Sequence, residues 1–149
     1  MPLELKKNEN QAIGRSAGGL STKIHATCDA LGNPTGFHLT AGQEHDLQGA
    51  DALMSHLLEA DFVLADKAYD ADERVRNKLN EKGCHAVIPS QKSRCAPRFY
   101  DKTIYKARHL IENFFAKLKQ YRAIATRYDK TSTNFLGAIH LASIVVWLN

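Results

Sequence analysis

Cysteine is too scarce and too scattered here to build a framework. Cys28, Cys84 and Cys95 are the only three in 149 residues, an odd number with no C-x-x-C pair, so no disulfide scaffold is expected. Cys84, His85 and Cys95 lack the ligand spacing of a zinc knuckle. Long apolar runs are missing too. The longest, Phe135 to Leu148, is interrupted by Gly137, His140 and Ser143 and falls short of the ~18 residues that would mark a bilayer span. It reads as a buried helix, with no membrane partner. No basic-then-apolar leader opens the chain, which places the protein in the cytoplasm as an expectation. Internal repeats and low-complexity tracts are absent.

What remains is the make-up of an ordinary soluble domain: 44% apolar and 24% charged residues in a length that can bury one core. The charge is unevenly spread. Residues 1–85 hold nine Lys/Arg against thirteen Asp/Glu, a net of −4, whereas residues 86–149 hold eleven against three, a net of +8. One part of such a molecule is suited to face a polyanion, of which nucleic acid is the commonest.

Two strand-like runs, Ser21–Ala30 and Thr35–Thr40, flank the turn-forming Leu31-Gly32-Asn33-Pro34, which predicts a β-hairpin. Leu47, Ala50, Leu53, Met54, Leu57 and Leu58 recur at helical spacing behind Asp46, a candidate N-cap. Asp61–Ala65 reads as a short buried strand with Asp66 at its carboxyl end. A polar helix over Asp72–Lys82 should stop at Gly83, and Cys84–Pro89 should be another strand closed by proline. After a basic loop, Ser90–Asp101, a long amphipathic helix is expected from Lys102 to Tyr121, and an apolar helix near Asn134–Leu148. That order suggests a three-layer α/β domain, in which ligand chemistry tends to sit at the carboxyl ends of strands, where Asp66 lies.

At ~100° per residue, Ile104, Ala107, Leu110, Ile111, Phe114, Phe115, Leu118 and Tyr121 form one apolar stripe. Tyr105, Arg108, Glu112 and Lys119 gather along its edge. The plain reading of Arg108 and Glu112 is a surface i,i+4 ion pair worth a few tenths of a kcal/mol. The plain reading of Asp66 is a helix N-cap.

The spacing Tyr105-x2-Arg108-x3-Glu112-x6-Lys119 resembles the Y-x2-R-x3-E-x6-K signature of a large group of bacterial insertion-sequence transposases of the DDE type. Gly14-Arg15-Ser16, the run Gly18 to His25, Thr40 to Asp46 and Ala65-Asp66-Lys67-Ala68-Tyr69-Asp70 are also similar to that family, so the resemblance covers nearly everything from Gln11 onward. It implies an RNase H-like (retroviral-integrase superfamily) α/β fold and metal-dependent phosphoryl transfer at transposon ends. Three acids, Asp, Asp and Glu, would hold two divalent ions, normally Mg²⁺, about 4 Å apart. Asp66 corresponds to the second Asp and Glu112 to the Glu, as catalytic and metal-binding residues. Tyr105, Arg108 and Lys119 would contact double-stranded DNA at the terminal inverted repeats.

The first Asp has no counterpart. Only Met1–Ile13 precede the glycine-rich approach, and they hold no Asp; Glu4, inside the alternation Leu3-Glu4-Leu5, is the one carboxylate there placed to stand in. The expectation is therefore a partial domain lacking its first, central strand, with residues 1–16 a flexible segment and 17–149 the partial catalytic domain. Such a chain would be truncated or frameshift-encoded, and inactive until an upstream part or another copy completes it. Either the Asp61–Asp66 strand pairs directly with Ser21–Ala30, or another chain supplies the missing strand. Two other readings stand beside this one. A non-catalytic DNA-binding remnant could bind transposon ends or inhibit the intact enzyme, and a generic RNase H-like nuclease could use the same acids.

Overall fold

The computed structural model describes residues 11–149, and within them the domain mixes α and β. Three antiparallel strands come first: β1 (Gly14–Ser16), β2 (Gly19–Cys28) and β3 (Pro34–Ala41). The β2–β3 hairpin turns where expected. Asp29 Oδ1 accepts from the amides of Leu31 and Asn33, both at 2.9 Å, so the turn carries its own side-chain anchor. Residues 1–10 of the segment expected to be flexible, Glu4 among them, lie outside the described residues. The last three residues of that segment form β1.

Strand alternation decides what each face of the hairpin meets. Ile24, Ala26, Phe37 and Leu39 point to one side and pack with Phe114, Leu118, Ile124, Phe135, Ile139 and Ala142. These come from α4 (His109–Leu118), α5 (Arg122–Ala125) and α6 (Ser132–Leu148). Lys23 and His25 point to the other side, under α1 (Leu47–Leu53). Helices therefore cover both faces of the hairpin. The approach to β1 is tied to the start of α6. Arg127 Nη1 donates to Thr22 Oγ1 at 2.7 Å and to the Ala12 carbonyl at 3.2 Å, while Gln11 Oε1 accepts from the Ser132 amide at 2.8 Å.

A second sheet holds β4 (Phe62–Leu64) parallel to β5 (His85–Val87). Its core joins Val63, Val75, Leu79, Cys84 and Ile88 to Ala50 and Met54 of the α1 segment. Among the described residues β4 pairs only with β5 and β2 only with β1 and β3. The direct pairing of the Asp61–Asp66 strand with Ser21–Ala30 is thus not formed, and α1 with the loops around it joins the two sheets.

Local chemistry changes several elements. Asp46 does not cap α1 with its side chain; instead it pairs with Lys23 at 2.8 Å, which ties α1 to β2. The polar helix opens as a π turn over Asp72–Arg76 before continuing as α2 (Asn77–Glu81). It does end at Gly83, whose φ of +73° suits a residue without Cβ. The expected 102–121 helix is α3 (Lys102–Tyr105), a 3₁₀ turn over Lys106–Arg108, and α4. Asp101 caps it by accepting from the amides of Thr103 and Ile104. The C-terminal helix is buried along one side only. Phe135, Ile139, Ala142 and Ser143 face inward, whereas Leu141, Ile144, Trp147 and Leu148 are exposed. No helix among the described residues is long and apolar enough to cross a membrane.

Gly49 shows how closely α1 approaches the hairpin. A Cβ there would stand 2.2 Å from Nδ1 of buried His25, whose Nε2 is held 2.8 Å from Thr40 Oγ1. Gly49→Ala gains about 1 kcal/mol of helix propensity, but forcing a methyl into a packed ring costs about 1–3 kcal/mol, and the ring has nowhere to go. The expected result is a Tm lowered by several degrees in a thermal melt; a raised Tm would contradict this packing.

Candidate functional site

Asp66 lies two residues beyond β4, where the chain leaves the sheet. Its Oδ1 accepts from the Ala68 amide at 2.9 Å and so caps a short 3₁₀ turn, Lys67–Tyr69. The N-cap reading of Asp66 therefore holds, yet it uses only one oxygen. Oδ2 lies 3.9 Å from Arg108 Nη1. Arg108 Nη2 in turn donates to Glu112 Oε1. One guanidinium thus faces two carboxylates that are 46 positions apart in sequence, and it is the direct link between the β4 end and α4.

The 3₁₀ turn explains how the remaining members line up. Side chains at i and i+3 eclipse in a 3₁₀ segment, so Tyr105 and Arg108 stack along the helix. The guanidinium carbon sits 5.5 Å from the centre of the Tyr105 ring, within cation–π range. Tyr105 is also edge-on to Tyr100, with ring centres 5.4 Å apart. Burial raises the Tyr105 phenol above its usual range, Arg108 opposes that, and Asp66, Tyr100 and Glu112 add to it. The phenol is therefore protonated at neutral pH and able to donate.

Lys119 stands apart. It follows α4 as its C-cap residue, is exposed, and has no ion pair among the described residues. Lys106, Lys117 and Arg122 are likewise exposed and without an ion pair there. The excess positive charge of the second half is thus partly displayed along the α3–α5 stretch, beside the Asp66–Arg108–Glu112 group. Arg94 and Arg98 of the basic loop are not free in this way, since both reach Asp72.

Behind Asp66 lie two clusters that sequence reasoning missed. Tyr69 OH is 3.4 Å from His25 Nδ1, which links the Asp66 loop to the hairpin. Burial, then the charges of Asp46 and Asp66, push the Tyr69 phenol up to about 12. Burial lowers the His25 pKa despite nearby Asp46, so the ring is neutral at pH 7. The other cluster is Asp70, nearly sealed from solvent. It accepts from Arg76 Nε at 2.7 Å, Arg94 Nη2 at 2.8 Å and the Gln91 amide at 2.8 Å. Tyr69 and Asp70 stand in the Ala65–Asp70 stretch already singled out, but nothing in that stretch names His25, Arg76 or Arg94 as their partners.

Asp66 and Glu112 offer hard carboxylate oxygens on a partly exposed surface, with side chains 46% and 56% accessible. That donor chemistry fits two of the ligands of a divalent cation such as Mg²⁺. No group of three His, Cys, Asp or Glu side chains is gathered for a metal among the described residues.

The chain matches the model of the Transposase DDE domain over residues 4–147. It is also similar to a putative transposase for insertion sequence element IS6501 from Brucella ovis. The two are 41% identical over 129 residues, which take in 87% of this chain and 99% of that protein. No solved structure matches it. A match spanning nearly the whole chain and a relative this similar leave one conclusion: the protein belongs to the family of transposases with a DDE domain.

Proposed function

We propose that this chain supplies two of the three acids of a metal-dependent DNA strand-transfer site, with Asp66 and Glu112 as catalytic metal ligands and Tyr105, Arg108 and Lys119 as DNA contacts. The observation that carries this is the convergence of Asp66 and Glu112, from two distant segments, on a single cationic group. An RNase H-like arrangement accounts for it, because a hairpin, a parallel strand followed closely by Asp66 and a helix bearing Glu112 are its parts.

Mg²⁺ bound between these acids would supply activation of the attacking oxygen and charge relief at the leaving one. The protein's own residues do the rest. Asp66 is held by its cap bond to Ala68, and Glu112 by its place one turn beyond Arg108 on the same helix. Exposed Lys119, with Lys106, Lys117 and Arg122 exposed along the same stretch of chain, offers phosphate contacts that fix the register of the duplex without reading bases. The substrate class is double-stranded DNA at the terminal inverted repeats.

The reading includes completion. An upstream strand carrying the third acid, from a frameshifted product or another copy, would lie beside β2 and β4, which do not pair with each other. Incubation of terminal-repeat DNA with Mg²⁺ and either the chain alone or the chain joined to such a strand tests this. Cleavage only by the joined form is expected, and robust turnover by the chain alone would refute it. The non-catalytic DNA-binding reading draws on one specific observation, the lack of a three-ligand cluster among the described residues. It would be favoured if the joined form bound DNA and never cut it.

A further inference from the structure

Arg108 occupies the place where a cation bound to both acids would have to be. Resting on the reading above, the geometry points to Arg108 as a built-in counter-cation of the Asp66–Glu112 pair, one that competes with divalent metal and is displaced when metal binds.

Four features carry this. The guanidinium presents separate nitrogens to the two carboxylates, Nη1 to Asp66 and Nη2 to Glu112, a division that its planar fork permits and a point-like ammonium does not. The contacts are unequal. Arg108 hydrogen-bonds to Glu112, but at 3.9 Å its contact with Asp66 is purely electrostatic. All three side chains are partly exposed, so water screens the pairs and neither is costly to break. Finally, part of the hold on Arg108 does not come from the acids. The Tyr105 ring lies 5.5 Å from the guanidinium carbon in the same arrangement, so loss of the two acid contacts leaves the cation–π contact to hold the side chain.

An exchange follows. Without metal, Arg108 neutralises two acids that would otherwise repel each other. With metal bound there, the divalent charge replaces the monovalent one, and the guanidinium is released toward solvent, where a DNA phosphate oxygen can accept from it. Cation binding and phosphate binding are then linked, each favouring the other.

Mn²⁺ binding to the full chain, followed by the electron paramagnetic resonance signal of the free ion, tests this without any catalytic readout. Arg108→Gln is expected to bind Mn²⁺ about three- to tenfold more tightly than the unmodified chain, the range set by losing two screened ion pairs. Lys106→Gln removes the same unit of charge two residues away and serves as the control, with an expected change below about twofold. Arg108→Lys keeps the net charge and should still bind Mn²⁺ more tightly than the unmodified chain, because it cannot face both acids at once. Equal tightening by Arg108→Gln and Lys106→Gln would reduce the effect to general charge and overturn the proposal. So would unchanged affinity in Arg108→Gln while Glu112→Gln still weakens binding; that outcome spares the reading of the acids. Failure of every form to bind Mn²⁺ in a Glu112-dependent way would sink both.

Discussion

In an enzyme completed by an upstream strand with the third acid, Glu112→Gln is expected to abolish strand cleavage while leaving DNA affinity within about a factor of two. The two side chains have nearly the same shape, so α4 and its packing through Phe114 and Leu118 should be untouched. What changes is a negative charge and a hard oxygen donor facing Asp66 across Arg108. A single preorganised group that acts on transition-state charge is worth about 10²–10³ in rate. A ligand shared by the activating cations should cost at least that, on the order of 10³-fold or more. Affinity should hold because phosphate contacts come from exposed cations, Lys119 among them, and not from the acid. Gel-based cleavage and salt-dependent binding on the same preparation separate the two effects. A variant that still cuts at near-normal rate would remove Glu112 from the chemistry.

Asp70→Ala is expected to cost about 3–5 kcal/mol of stability, the penalty for leaving a buried cation without its partner. Arg76 is buried with Asp70, and without it would keep only its 2.7 Å bond to the Ile88 carbonyl. Arg94 would lose its inner anchor, and the basic loop would be left with its more exposed pairings to Asp72. For a chain of this length each kcal/mol corresponds to about 2–4 °C in Tm, so a fall of roughly 10 °C is expected. The pH dependence has a definite sign. Burial alone would raise the Asp70 pKa, but hydrogen bonds from Arg94, the Gln91 amide and Arg76 outweigh it and hold the carboxyl at about 2. The folded value is thus below the usual 3.8. Asp70 therefore stabilises the fold above pH about 4, and that contribution is lost as pH falls toward 2. Urea midpoints between pH 7 and pH 3 should decline less steeply in Asp70→Asn than in the unmodified protein. Parallel curves would mean that the carboxylate is not held as described.

The elements that carry Asp66 and Glu112 were legible because their signals are local. Gly, Asn and Pro at one junction specify the β2–β3 turn, a short apolar run specifies β4, and apolar residues three and four apart specify α4. Asp66 at a strand end and Arg108 four residues before Glu112 follow from the same local rules. What the letters hid was non-local or depended on small backbone choices. Asp46 was positioned to cap a helix, but Lys23 from a neighbouring strand took its carboxylate. Uniform helical winding over 102–121 gathers Tyr105 and Arg108 along one edge of the helix, and the 3₁₀ turn, which that reading did not include, brings them into closer line. The apolar 134–148 run reads as buried on all sides, yet it meets the hairpin along one side, since hydropathy does not say how many neighbours a helix has. Asp70, Arg76 and Arg94 become a unit only after the basic loop has folded onto the turns that carry Asp70 and Arg76.

Whether Asp66 and Glu112 share one cation can be read directly from iron-mediated backbone cleavage. Fe²⁺ in place of Mg²⁺, with ascorbate and peroxide, cuts the chain beside the residues that bind it. Two cuts are expected, one near residue 66 and one near residue 112, both suppressed together by excess Mg²⁺ and both lost in Glu112→Gln. Cutting at one position alone, or at sites that Mg²⁺ does not protect, would contradict a shared site.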